Sequence, residues 1–174
     1  MLRLIFAFVD IMLHRRGPES LPSSRFLFWA LFALSIVADF AIIWLAGESG
    51  RAFVVSLLVT GLDVWFVWAL LRTFNRQPRF RQTMTAMLGA EVLLSLLQAP
   101  LVRPLIEAPP PDPQNPTVTL PGLLLLVTMI WSIDISSFVF SRALERPYLL
   151  CVAIVIGYFL LIRSLQITLL QPVA

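Results

Sequence analysis

With 174 residues, 59% of them hydrophobic and only 13% charged, and a mean hydropathy of +0.87, this chain is excluded from the water-soluble domains. Its formal net charge of +3 and pI of about 10.0 belong to a membrane surface and exclude a nucleic-acid partner. The reading is all-α: a polytopic membrane bundle of five transmembrane helices preceded by a short interfacial amphipathic helix, in one domain over 1–174, with no chain left for a soluble catalytic domain.

The first segment, 2–14, is apolar but too short for the roughly 20 residues a span needs. It runs into His14-Arg15-Arg16-Gly17-Pro18 with no small-residue cleavage site, so it is expected to stay on the chain. Arg3, Ala7, Asp10 and His14 line up as a narrow, weakly polar stripe, and a helix of this kind lies in the membrane interface. Arg15, Arg16 and Arg25 then face anionic lipid head groups.

Five spans follow, at about 26–46, 52–72, 83–102, 120–141 and 148–170. Trp29 and Trp44 bracket the first as interfacial anchors, while Trp65, Trp68 and Trp131 are expected to pack inside. Ala86 and Ala90, with Gly89 between them, let the third span approach a neighbour closely, which predicts a central place for it. Pro100 and Pro104 are expected to end or kink it. The connection 104–119, with its run PPPDPQNP, is read as a stiff external cap.

All 13 basic residues are arginine, and their placement orients the bundle. Arg3, Arg15, Arg16 and Arg25 precede the first span, Arg72, Arg76, Arg79 and Arg81 separate the second from the third, and Arg142 and Arg146 separate the fourth from the fifth. The other side has Arg51 and Arg103. The expectation is an N-terminus in the cytoplasm and a C-terminus outside, with Arg15, Arg16, Arg25, Arg72, Arg76, Arg79 and Arg81 forming a surface for lipid or a partner.

Four spans each carry one acid far from their ends, Asp39, Asp63, Glu91 and Asp134, and the fifth carries Arg163. A charge in hydrocarbon costs roughly 2.5 to 3.5 kcal/mol on insertion-derived scales, so these side chains are expected to face the protein interior. At 1.5 Å per residue Asp39 lies about 20 Å in and Asp63 about 17 Å in, at depths that allow a buried cluster of Asp39, Asp63 and Arg163. Glu91 and Asp134 fall within roughly 12 Å of the cytoplasmic face and form a second candidate pair. Two carboxyls sharing a site cannot both ionise cheaply, so one carries a proton unless Arg72 or Arg142 reaches in. Ser35, Ser56, Thr60, Ser95, Gln98, Ser137 and Ser141 extend each acid into a polar stripe, and the stripes are expected to converge. Three roles fit such stripes: interhelical hydrogen-bond glue, a transport or proton pathway, and a cleft for a lipid or a partner helix.

Other chemistry has little support. One histidine and one cysteine, His14 and Cys151, allow no internal disulfide, metal set or His-assisted nucleophile. His14 reads as a solvated flank and Cys151 as a small packed hydrophobe. No catalytic residues, no metal and no cofactor are expected, and the protein is read as non-enzymatic.

The stretches PRFRQTMTAMLGAEVLLSLLQAPL and IWSIDISSFVFSRALERPYLLCVAIVIGYF, with the Phe80-Arg81-Gln82 turn and Trp131, resemble the Yip family of five-helix membrane proteins and its bacterial relatives. The resemblance implies a five-span bundle with its N-terminus inside; in eukaryotes such proteins act as adaptors that meet small GTPases. An all-arginine basic set fits a GC-rich bacterial gene and hence a bacterial inner membrane. Two functions are expected: a scaffold that engages anionic lipid, another membrane protein or a second copy of itself, or alternatively a small proton- or ion-linked permease using the intramembrane acids.

Overall fold

The computed structural model describes residues 2–47, 50, 52–107 and 119–170, and among them every regular element is helical. Arg51 and residues 108–118 of the proline-rich connection lie outside the described residues. The helices are α1 (Leu2–Met12), α2 (Arg25–Leu45), α3 (Ala52–Thr73), α4 (Phe80–Ile106), α5 (Leu120–Leu144) and α6 (Tyr148–Leu170). The last five are long and apolar enough to cross a membrane. Their outward faces are apolar too: Phe26, Val37, Phe53, Leu96, Leu120, Leu149 and Leu160 are all exposed, as a lipid-facing surface requires.

Local signals set the ends. Ser24 caps α2 by accepting the Leu27 amide at 3.3 Å, and Thr119 caps α5 by accepting the Gly122 amide at 3.4 Å ahead of the rest of the helix. Glu145 closes α5 in the left-handed conformation, and Pro147 stands one residue before α6. The α4 bounds correct the expected 83–102. The helix begins at Phe80 and continues through Pro100 and Pro104 to Ile106. Those prolines stand four apart on one exposed face of the last turns, so each removes one ladder bond there while the other faces keep theirs.

Helix α4 is central. It packs against α2 and α5 most heavily and also meets α1 and α3, while α6 rests on α5 and, more lightly, on α3. Buried Ala86, Gly89 and Ala90 permit that close approach. One end of the bundle, the end carrying the N-terminus, is tied by ion pairs: Arg76 and Arg79 to Glu145, and Arg142 to Glu19 at 2.8 Å.

One expectation is extended here and another fails. Helix α1 precedes the spans as a short helix, as expected, and it also docks on the bundle. Leu4, Ala7, Phe8, Ile11 and Met12 form one helical face that packs into the main apolar core, with the Phe8 ring seated over Gly89. Ile5, Phe6, Val9 and Leu13 cover the other face and stay exposed, so the helix is apolar on two sides and wedges against the bundle. Trp65 and Trp68 do not pack inside; they are 60% and 42% exposed on the outer side of α3, and Arg72 stacks over Trp68. Trp131 alone of the three turns inward, where its indole N–H donates to the Met12 carbonyl at 3.3 Å.

Candidate functional site

Because α6 rests on α5 and α3 but stands off from α4, a gap opens between α4 and α6. It forms a cavity of about 520 Å³, within the 300 to 1,000 Å³ typical of small-molecule sites. Its wall runs from Met84, Phe140 and Val155 to Ala46, Gln98 and Gln166, so it reaches toward the bundle end where α2 and α6 finish. At the opposite end the apolar core closes it: Met84, Leu88, Val139 and Phe140 are all 1% exposed or less.

Three acids from three helices line this cavity, Asp39 of α2, Asp63 of α3 and Glu91 of α4, together with Arg163 of α6. The single Thr60 hydroxyl hydrogen is shared between the Ser56 carbonyl at 2.9 Å and the Asp39 carboxyl at 3.4 Å. Asp63 accepts the Tyr158 hydroxyl at 2.6 Å, and the Tyr158 ring stacks on Phe66 with centroids 3.8 Å apart. Arg163 donates to Gln166 at 3.3 Å and stands 5.3 Å over the Phe159 ring. Arg163 forms no ion pair with a described acid, although it shares the wall with all three. Asp39, Asp63 and Arg163 thus share one cavity without forming the direct ion pair considered from sequence.

Glu91 differs from its neighbours. Among the described residues it has no hydrogen-bond or ion-pair partner, and it faces the cavity together with Ser95 and Gln98 one and two turns further along α4. Ser95 is only 8% exposed, and its hydroxyl makes no hydrogen bond to a described residue; Gln98 donates to Thr128 at 3.2 Å. Helical serines commonly bond back to the preceding turn, as Ser56 and Ser137 do here. Ser95 instead leaves its hydroxyl for the cavity.

The expected pairing of Glu91 with Asp134 is not formed. Glu91 sits eleven residues inside the true start of α4, about 17 Å along the axis, which brings it to the depth of Asp63. Asp134 lies on another face of α5. Ser132, Ser136 and Phe140 point that helix toward the cavity, whereas Trp131, Asp134 and Phe138 point toward the end of α1. There Asp134 accepts the Tyr148 hydroxyl at 2.5 Å and stands 3.2 Å from His14 Nε2, while the His14 ring stacks on Phe138 with centroids 4.2 Å apart. His14 is exposed, as expected of a flank, and also has partners there. The polar stripes converge only in part: Ser56, Ser95 and Gln98 reach the cavity, while Ser35, Ser137 and Ser141 bond to carbonyls of their own helices.

Sequence reasoning passed over Tyr158 and Gln166. With Ile162 they stand four apart on α6, beside Arg163, so the polar stripe of that span was present as a spacing. The basic surface is also smaller than expected. Arg76 and Arg79 are occupied by Glu145, and Arg16 stands 3.3 Å from Asp10; among the seven, Arg15, Arg25, Arg72 and Arg81 have no described ion pair and are exposed, with Arg72 over Trp68.

The fold and this cavity define a polytopic α-helical membrane protein whose spans enclose an acid-lined site. No protein-family model, curated protein or solved structure matches the chain.

Proposed function

We propose that this protein is a small proton-linked permease, non-enzymatic, set in a bacterial inner membrane with its N-terminus in the cytoplasm. The observation that carries the reading is the cavity itself: three carboxyls from α2, α3 and α4 face one space in the middle of the bundle, and Glu91 has no partner among the described residues. Structural glue consumes its hydrogen-bonding groups against neighbouring helices. A carboxyl left facing an intramembrane cavity is instead positioned to take up a proton or a cation. The ionisable groups facing that space are Asp39 from α2, Asp63 from α3, Glu91 from α4, and Tyr158 and Arg163 from α6; α5 supplies hydroxyls, Ser132 and Ser136. The orientation rests on the ten arginines at the N-terminal side.

The test uses purified protein in liposomes loaded with a pH-sensitive dye. Wild type is expected to carry proton flux that falls in Asp63→Asn and Glu91→Gln. Background flux in all three removes the permease reading.

A second reading, a Yip-like scaffold, is favoured by one separate observation: Arg15, Arg25 and Arg81 are exposed, with no ion pair among the described residues, on the side that also carries α1. Cross-linking from the 72–81 turn in native membranes is expected to capture a specific protein neighbour if that reading holds, and recovery of lipid alone counts against it.

A further inference from the structure

The shape and lining of the cavity say more than that it binds a charge. Three carboxyls and a single guanidinium stand on its wall, and carboxyls that share a buried space ionise there by pairing with a cation, so the site favours a positive ligand. A small metal ion does not suit it, because among the described residues no three His, Cys, Asp or Glu side chains stand close enough to hold one. Most of the remaining wall is apolar, with Ile42, Val59, Leu94, Phe140, Val155 and Ile162 among its residues. A fully hydrated ion gains nothing from such surface, whereas an apolar body does.

We infer that the cavity binds an organic cation, a protonated amine on a compact apolar body, whose ammonium group sits between the Glu91 carboxyl and the Ser95 hydroxyl, both without a partner among the described residues. An ammonium group has three N–H donors and no acceptor. Glu91 and Ser95, one turn apart on α4, offer acceptors that no described residue uses, and Gln98 continues the same wall. Asp39 and Asp63 are already held by Thr60 and Tyr158, which leaves Glu91 as the carboxyl free for direct contact. Arg163 stays aside on Phe159 and Gln166, toward the C-terminal end of α6, where it leaves the Glu91 end to the ligand.

The inference rests on the permease reading for its site but is tested by binding alone. Calorimetry on the purified protein in detergent compares four probes that share one apolar body: phenethylammonium, 2-phenylethanol, 3-phenylpropionate and zwitterionic phenylalanine. Phenethylammonium is expected to bind and the other three to bind at least about tenfold more weakly. Glu91→Gln is expected to weaken the amine by about tenfold or more, and Ser95→Ala by about fivefold. Ser95→Ala removes no hydrogen bond to a described residue and so keeps the fold. Equal or tighter binding of the alcohol, the anion or the zwitterion overturns the inference, as does unchanged affinity in Glu91→Gln. Should Glu91→Gln fail to fold, unchanged affinity in Ser95→Ala overturns it. Proton flux without amine binding refutes the ligand class and leaves the permease standing; amine binding without flux does the reverse.

Discussion

Tyr158 donates its hydroxyl to Asp63 across 2.6 Å and so joins α6 to α3 inside the span, at the edge of the cavity. The contact between these two helices is otherwise light, a small cluster of Val55, Val59 and Ile162 with Ile43, Leu62 and Leu169 against it. The phenol therefore fixes one wall of the site. Tyr158→Phe keeps the ring on Phe66 and removes only the donor. It is expected to cost about 1 to 2 kcal/mol in reversible unfolding from mixed micelles. Asp63→Asn keeps an acceptor for the same hydroxyl and is expected to lose less; equal stability of Tyr158→Phe and wild type would show the bond to be idle.

A second relationship concerns α1. The Phe8 ring occupies the space that a Cβ on Gly89 would need, so α1 is seated in a notch that only glycine leaves open. Gly89→Val forces the ring, and α1 with it, away from α4. A loss of about 1 to 3 kcal/mol is expected, as for other overpacked sites. Trypsin offers an independent readout at Arg15 and Arg16, which follow α1 and are exposed: cleavage there should quicken in Gly89→Val. An unchanged rate argues that α1 is held by His14 and Trp131 instead.

How far the chain announced this architecture depends on the interaction involved. Span number and position were legible because hydropathy over some 20 residues is a property of one helix at a time. The end of α4 was misjudged because a proline rule for isolated helices does not weigh the ladder that survives on the other faces. The site was legible only as a set of residues. Asp39, Asp63, Glu91 and Arg163 stand out as charges in apolar helices, but which of them meet depends on helix rotation and on where α4 starts, and three residues of error moved Glu91 to the wrong partner. Asp134 went astray for the same reason. Its partner His14 belongs to a helix whose docking depends on the Gly89 notch, a fit in three dimensions that no single spacing displays.

Glu145 carries two opposed effects. It holds Arg76 and Arg79, and it sits in the left-handed region at φ +55, which side chains other than glycine and asparagine adopt at a cost of roughly 1 kcal/mol. Its side chain is 49% exposed and its partners 38% and 39%, so the ion pairs are well screened and together contribute no more than about 1 kcal/mol. Glu145→Gln loses the pairs and keeps the strained backbone, so it is expected to melt below wild type at low salt and to converge with it at high salt. Glu145→Gly loses the pairs and relieves the backbone, and is expected within about 1 kcal/mol of wild type. A glycine variant less stable than the glutamine variant would mean that the turn gains nothing from glycine's freedom.

Glu19 makes the same end of the bundle sensitive to acid. Partial burial works against its carboxylate, but its own backbone amide and the Arg142 guanidinium, 2.8 Å away, outweigh that and hold its pKa below the ordinary value of 4.5. A carboxyl whose folded pKa lies below its unfolded one binds fewer protons when folded, so its contribution is complete above pH 4.5 and fades as the pH falls through the folded value. Because Glu19 is 56% exposed, that contribution is expected to be at most about 0.5 kcal/mol. Unfolding midpoints taken from pH 6 down to pH 3 should therefore fall slightly further for wild type than for Glu19→Gln, which has no proton to take up. Arg142→Ala should remove most of the same difference, since it strips Glu19 of its nearest cation. Parallel pH profiles for wild type and Glu19→Gln would place the acid response elsewhere and leave the Glu19–Arg142 contact without weight in holding the 18–20 turn against α5.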